Sequence, residues 1–136
     1  MKKLGLVLLL VVLLVCTGCG QKPLAQISEV SYLAKNDTWT RVYFDLANGG
    51  DEKLQSVRCM VQVYAGSKLV ETESFKAVDT LYWDDDFEFV WDVNYPKNPQ
   101  NTEDITTVKV AIESYVNADG KTVDFSKHPN WVSSGN

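Results

Sequence analysis

The sequence predicts an all-β fold, an antiparallel two-sheet sandwich of about seven strands. Three observations carry this. Apolar and polar residues alternate at period two in run after run, and no segment shows a sustained 3.6-residue apolar period. Turn residues punctuate the runs: Asn and Gly at 48–51 and 117–120, and Gly66-Ser67. The 136 residues are 45% hydrophobic and 11% aromatic with only 23% charged, which suits one small cored domain and excludes wholesale disorder.

Residues 26–34 read as a weak first strand, with Val30 and Tyr32 on one face and Ile27 and Leu33 on the other. Residues 39–47 alternate clearly: Val42, Phe44 and Leu46 point one way, and Trp39, Arg41, Tyr43 and Asp45 the other. Residues 54–65 form a long strand with Val57, Cys59, Val61, Val63 and Ala65 inward. Gly66-Ser67 fits a two-residue hairpin turn into a return strand, 68–78, whose mixed pattern suits a sheet edge. Residues 79–85 are expected as a connection. Residues 86–93 set Phe87, Phe89, Trp91 and Val93 against Asp86, Glu88, Val90 and Asp92. A polar loop with two prolines, 94–104, precedes a strand at 105–116 with Val108, Val110, Ile112 and Val116 in phase. After the 117–120 turn, 121–126 is a last short strand, and 127–136 is expected to be a loose tail. The expected core is Val42, Phe44, Leu46, Val57, Val61, Val63, Phe87, Phe89, Trp91, Val108, Val110 and Ile112.

Ahead of this domain lies a different kind of sequence. Met1-Lys2-Lys3 is cationic, and residues 4–15 are an unbroken run of Leu, Val and Gly. Twelve helical residues cover about 18 Å, short of the roughly 30 Å hydrocarbon core, so the run fits a secretory signal rather than a span. Cys16-Thr17-Gly18-Cys19 follows. It resembles the bacterial lipobox, in which a small residue precedes a cysteine that is diacylated before cleavage. On that resemblance Gly18 and Cys19 flank the cut and Cys19 carries the lipid; Cys16 departs from the usual aliphatic residue. The implied layout is a signal peptide at 1–18, a lipidated tether at 19–25, the sandwich at 26–126 and the tail at 127–136. Two or three acyl chains make a stable anchor, and no cofactor is implied. The mature chain keeps 11 basic side chains against 18 acidic ones once Lys2 and Lys3 leave, a charge of −7. That charge is repelled by anionic headgroups and excludes a basic nucleic-acid binder, so the lipid must hold the domain at the membrane.

The run 41–93 also resembles the immunoglobulin-like modules of small bacterial lipoproteins, including the FxLyD type. These pair a strand ending in Asn-Gly or Asn-Ser with a Val-rich strand, a hairpin and an aromatic strand. The resemblance implies an immunoglobulin-like sandwich that serves as an adaptor, spacer or binder. It departs at Ala65, where such modules often carry Asp after the Tyr, and no Pro-Gly precedes residue 86.

Candidate chemistry is sparse. Cys59 is the one thiol left after processing and acylation, in phase with buried valines, so it is expected to be inert. His128 is the only histidine, which leaves too few ligands for zinc and no fixed base for a nucleophile. Asp84, Asp86, Glu88 and Asp92 share a strand face without calcium-loop spacing; they read as a solvated face, offset by Arg41 or a Lys across the sheet, and no metal is assigned. Trp39, Arg41 and Tyr43 form the candidate ligand-binding face. The functional expectation is a lipid-anchored, extracytoplasmic protein of the cell membrane that acts as a non-enzymatic adaptor or binding module. Its partner is a protein or glycan of the envelope. A carbohydrate- or peptidoglycan-binding module using the aromatic face is the alternative.

Overall fold

A computed structural model describes residues 23–36, 39–94 and 105–135. The expected signal peptide at 1–18, Cys19 with the start of the tether, and most of the 94–104 loop lie outside the described residues. Eight strands follow one another there: β1 (Ala25–Asn36), β2 (Trp39–Asn48), β3 (Leu54–Ala65), β4 (Lys68–Leu81), β5 (Asp86–Asn94), β6 (Ile105–Val116), β7 (Thr122–Asp124) and β8 (Val132–Ser133). They build two antiparallel sheets, β1-β2-β5 and β4-β3-β6-β7, with β8 also pairing with β6. The chain is an all-β sandwich. A constant-type immunoglobulin domain places its fourth strand on the first sheet. Here Gly66, at φ 61°, makes a two-residue turn that pairs Ala65 with Lys68, and so tight a turn returns β4 beside β3.

The inward faces meet as the alternation dictates. Val42, Phe44 and Leu46 from β2 face Val57, Cys59, Val61 and Val63 from β3 and Val108, Val110 and Ile112 from β6, all at most 3% exposed. Each such side chain contributes about 1.5–3 kcal/mol on burial. Phe87, Phe89 and Trp91 are only partly buried because β5 is an edge strand. They close the β4–β5 side of the core as an aromatic stack, Phe75 lying 4.1 Å from Trp91 at 4° and 5.9 Å from Phe89. The buried Nε1 of Trp91 has no partner in hydrogen-bond geometry. The Glu73 carboxyl is near enough for that N–H to draw its pKa down, but burial pushes it up and prevails.

Register shifts break the strict period-two reading in several strands. Glu29 sits at φ 52°, and Glu29 and Val30 together oppose Phe44. This bulge turns Ile27 to the same core-facing side as Val30 and Tyr32 and leaves Leu33 outside. Ser56, at φ 48°, does the same in β3, so that Leu54 and Val57 are both buried. In β6, Cys59 pairs with Ile112 but Arg58 with Ser114, making Glu113 the extra residue. Tyr115 therefore enters the core instead of Val116.

Other boundaries also shift. β4 continues to Leu81 through part of the expected 79–85 connection, because Leu81 fills the core opposite Leu54. β1 begins at Ala25, inside the expected tether. The last short strand narrows to Thr122–Asp124. The tail is not loose through Gly135. Val132 and Ser133 pair with Val110 and Lys109, and the N–H of Ser134 donates to the Val108 carbonyl while its hydroxyl accepts from the Val108 N–H. The open edge of β6 left free by the short β7 accepts this segment.

One end of the sandwich gathers the start of β1, the β2–β3 turn, the β4–β5 turn and the β6–β7 turn. Asn48 ties the β2–β3 turn to the end of β4. Its Nδ2 donates to the carbonyls of Glu52 (2.8 Å) and Leu81 (3.1 Å), and its Oδ1 accepts from the Gly50 N–H. The opposite end carries the β1–β2 and β3–β4 turns.

Candidate functional site

β2 buries Thr40, Val42, Phe44 and Leu46, so the pleat places Trp39, Arg41 and Tyr43 together on the outward face of the three-stranded sheet. Register puts Asp92 of β5 directly opposite Arg41. The guanidinium donates from Nε to Oδ1 at 2.8 Å and from Nη2 to Oδ2 at 3.1 Å, a two-pronged clamp. The guanidinium carbon also lies 5.1 Å from the Trp39 ring centroid, within cation–π range. The hydrogen bond to Asp92 pushes the Arg41 pKa up from an already high value, so the positive charge is permanent.

Apolar side chains flank this clamp. Leu33 of β1 pairs with Arg41, and Val90 of β5 pairs with Tyr43. Leu33 is 46% and Val90 44% exposed. Further along the same face the character changes: Asp45 stands opposite Glu88, and Asp86 opposite Ala47. The outer face thus has an aromatic, apolar half around Arg41 toward the β1–β2 turn and an acidic half toward the start of β1. Like charges directly opposite repel, which keeps the acidic half solvated.

The remaining candidates separate. Asp84 lies in the turn before β5, while Asp86, Glu88 and Asp92 stand on the outward face. Among the described residues, no group of three or more His, Cys, Asp or Glu side chains could hold a metal ion. Cys59 is fully buried, and burial pushes its thiol up to about 12. His128 is exposed. An open cleft of about 400 Å³ follows the β1 edge beside β8, lined by Ala25, Ile27, Ile112, Asn130 and Val132 among others. It contains none of the Trp39, Arg41 and Tyr43 side chains.

Sequence reasoning places the three β2 residues correctly and offers Arg41 or a Lys as a counter-charge to the acidic strand. It did not identify Asp92 as the specific partner, because register across the sheet is not written in either strand. Val90 is visible in the sequence as an apolar residue in the polar phase of β5. Asn48 carries only a turn signal in the sequence.

No protein-family model matches this chain, and no curated protein matches it. Among solved structures it is similar to target SoR45 of the Northeast Structural Genomics Consortium, with 8% sequence identity and a TM-score of 0.52 over 83% of this chain and 87% of that one. At that identity the likeness is one of fold alone.

Proposed function

We propose that the chain is a membrane-anchored, extracytoplasmic lipoprotein whose sandwich is a non-enzymatic adaptor for a protein partner in the cell envelope. The cationic start, the apolar run and Thr17-Gly18-Cys19 support the anchor. The geometry that supports binding is the Arg41 clamp. A guanidinium fixed by Asp92 and stacked beside Trp39 is pre-organised, so little side-chain entropy is lost when a partner covers it. Trp, Tyr and Arg are the residue types that dominate interface energetics. The flat apolar flanks Leu33 and Val90 favour a protein surface over a sugar ring, and Arg41 already occupies one side of the Trp39 ring.

The test is a photoreactive side chain placed at Val90 in the full-length protein in its own membrane. A discrete protein adduct at Val90, absent from a probe at Gln62 on the other sheet and lost with Arg41→Glu, is the expected result. Adducts to glycan alone, or equal capture from both positions, would overturn the protein-adaptor reading.

A further inference from the structure

Leu24, Tyr82 and Trp83 are 43%, 50% and 57% exposed, and all three lie at the same end of the sandwich. The turn that carries the two rings is fixed by hydrogen bonds. The Tyr82 N–H donates to Asp85 Oδ2 at 2.8 Å, the Asp85 N–H to the Tyr82 carbonyl at 3.0 Å, and the Asn48 N–H to the Asp85 carbonyl at 3.2 Å. Tyr82 and Trp83 meet edge to face, 6.2 Å apart. Leu24 is tied to the same end by the Gly49 N–H, which donates to its carbonyl at 2.8 Å. β1 and β5 are separated only by β2, two strand spacings or about 10 Å.

Cys19 stands five residues before Leu24. Fully extended, that stretch spans about 17 Å. The sandwich is longer: a twelve-residue strand such as β3 runs about 40 Å. An acyl anchor at Cys19 therefore brings the Leu24 end to the membrane surface and cannot bring the opposite end there without laying the domain on its side. We propose that Tyr82 and Trp83, with Leu24, are a second membrane contact that seats in the headgroup layer of the bilayer holding the acyl chains. This rests on the lipoprotein reading above. Tyr and Trp suit that layer because each has an apolar body and a polar tip. Asp84, Asp85, Asp51, Glu52 and Asp119 at this end outnumber Lys53 and Lys121, so the contact is shallow and aromatic, not electrostatic. Its consequence is orientation. The strands stand away from the membrane, and the Trp39–Arg41–Tyr43 half of the outer face points outward, about 17–30 Å beyond the anchored end along β2.

The experiment uses full-length acylated protein in phosphatidylcholine vesicles carrying lipids brominated near the headgroup. One of four tryptophans faces the lipid, so roughly a quarter of the emission is quenched. Trp83→Phe keeps the protein on the vesicles and removes the quenched component. Equal quenching in Trp83→Phe, or none in the wild type while it floats with vesicles, overturns this inference and leaves the anchor standing. A chain without lipid on Cys19 overturns the anchor and this inference together.

Discussion

Asn48→Ala removes a side chain that is only 6% exposed and joins three segments at the end of the sandwich where β1 starts. Three hydrogen bonds go with it: to the Glu52 carbonyl, to the Leu81 carbonyl and from the Gly50 N–H. A neutral hydrogen bond is worth about 1 kcal/mol net, and a buried group left unpaired costs about 1–3 kcal/mol. Leu81 is fully buried, so its carbonyl is the group least able to find water. The expected loss is about 2–4 kcal/mol, or roughly 8–16 °C in melting temperature for a domain of this size. The assay is urea unfolding followed by tryptophan emission, in which the midpoint falls and the slope stays constant. Asn48→Asp keeps the acceptor but sets a carboxylate against two carbonyls, so at neutral pH it loses at least as much. A loss under about 1 kcal/mol for Asn48→Ala, or an Asp variant near wild type, would refute the argument that the two donated bonds hold this corner.

Three further predictions concern burial and backbone. Cys59 resists alkylation without denaturant. From pH about 9 to about 12 only the unfolded chain loses that proton, so stability present below pH 9 falls by up to about 1.4 kcal/mol per unit, and Cys59→Ala lacks this component of the slope. Glu73 has its pKa raised chiefly by burial, so its contribution is favourable in acid and is lost as pH rises through its folded-state pKa; Glu73→Gln is more stable than wild type at pH 7 in a thermal melt, and the gain disappears in acid. Glu29→Gly relieves a left-handed backbone and gains up to about 1 kcal/mol, whereas Gly66→Ala, with φ 61°, loses about 1 kcal/mol by denaturant titration.

The strands were legible because one face of each is buried and the pleat has period two. β2 follows that rule without exception, so Val42, Phe44 and Leu46 are legible as inward and Trp39, Arg41, Tyr43 and Asp45 as outward. Where a bulge intrudes, the rule inverts: Ile27, Leu54 and Tyr115 are inward only because Glu29, Ser56 and Glu113 each insert a residue. Nothing in a single strand announces this, since the extra residue is defined by its partner. β8 was missed for a related reason. Two residues carry no periodicity, and their place depends on the edge of β6 that β7 leaves open. The candidate face was legible as Trp39, Arg41 and Tyr43, but its centre is the Arg41–Asp92 clamp, a contact between positions 51 residues apart.

We propose that this sandwich works at a membrane through a lipid on Cys19. This is tested most directly by the intact mass of the protein extracted from its own membrane. The expected species is a chain beginning at Cys19 and carrying a diacylglycerol, with or without a third acyl group, while Cys19→Ala accumulates as the unprocessed, unacylated precursor. A mature chain without lipid, or a Cys19→Ala variant cut and lipidated like the wild type, would contradict it.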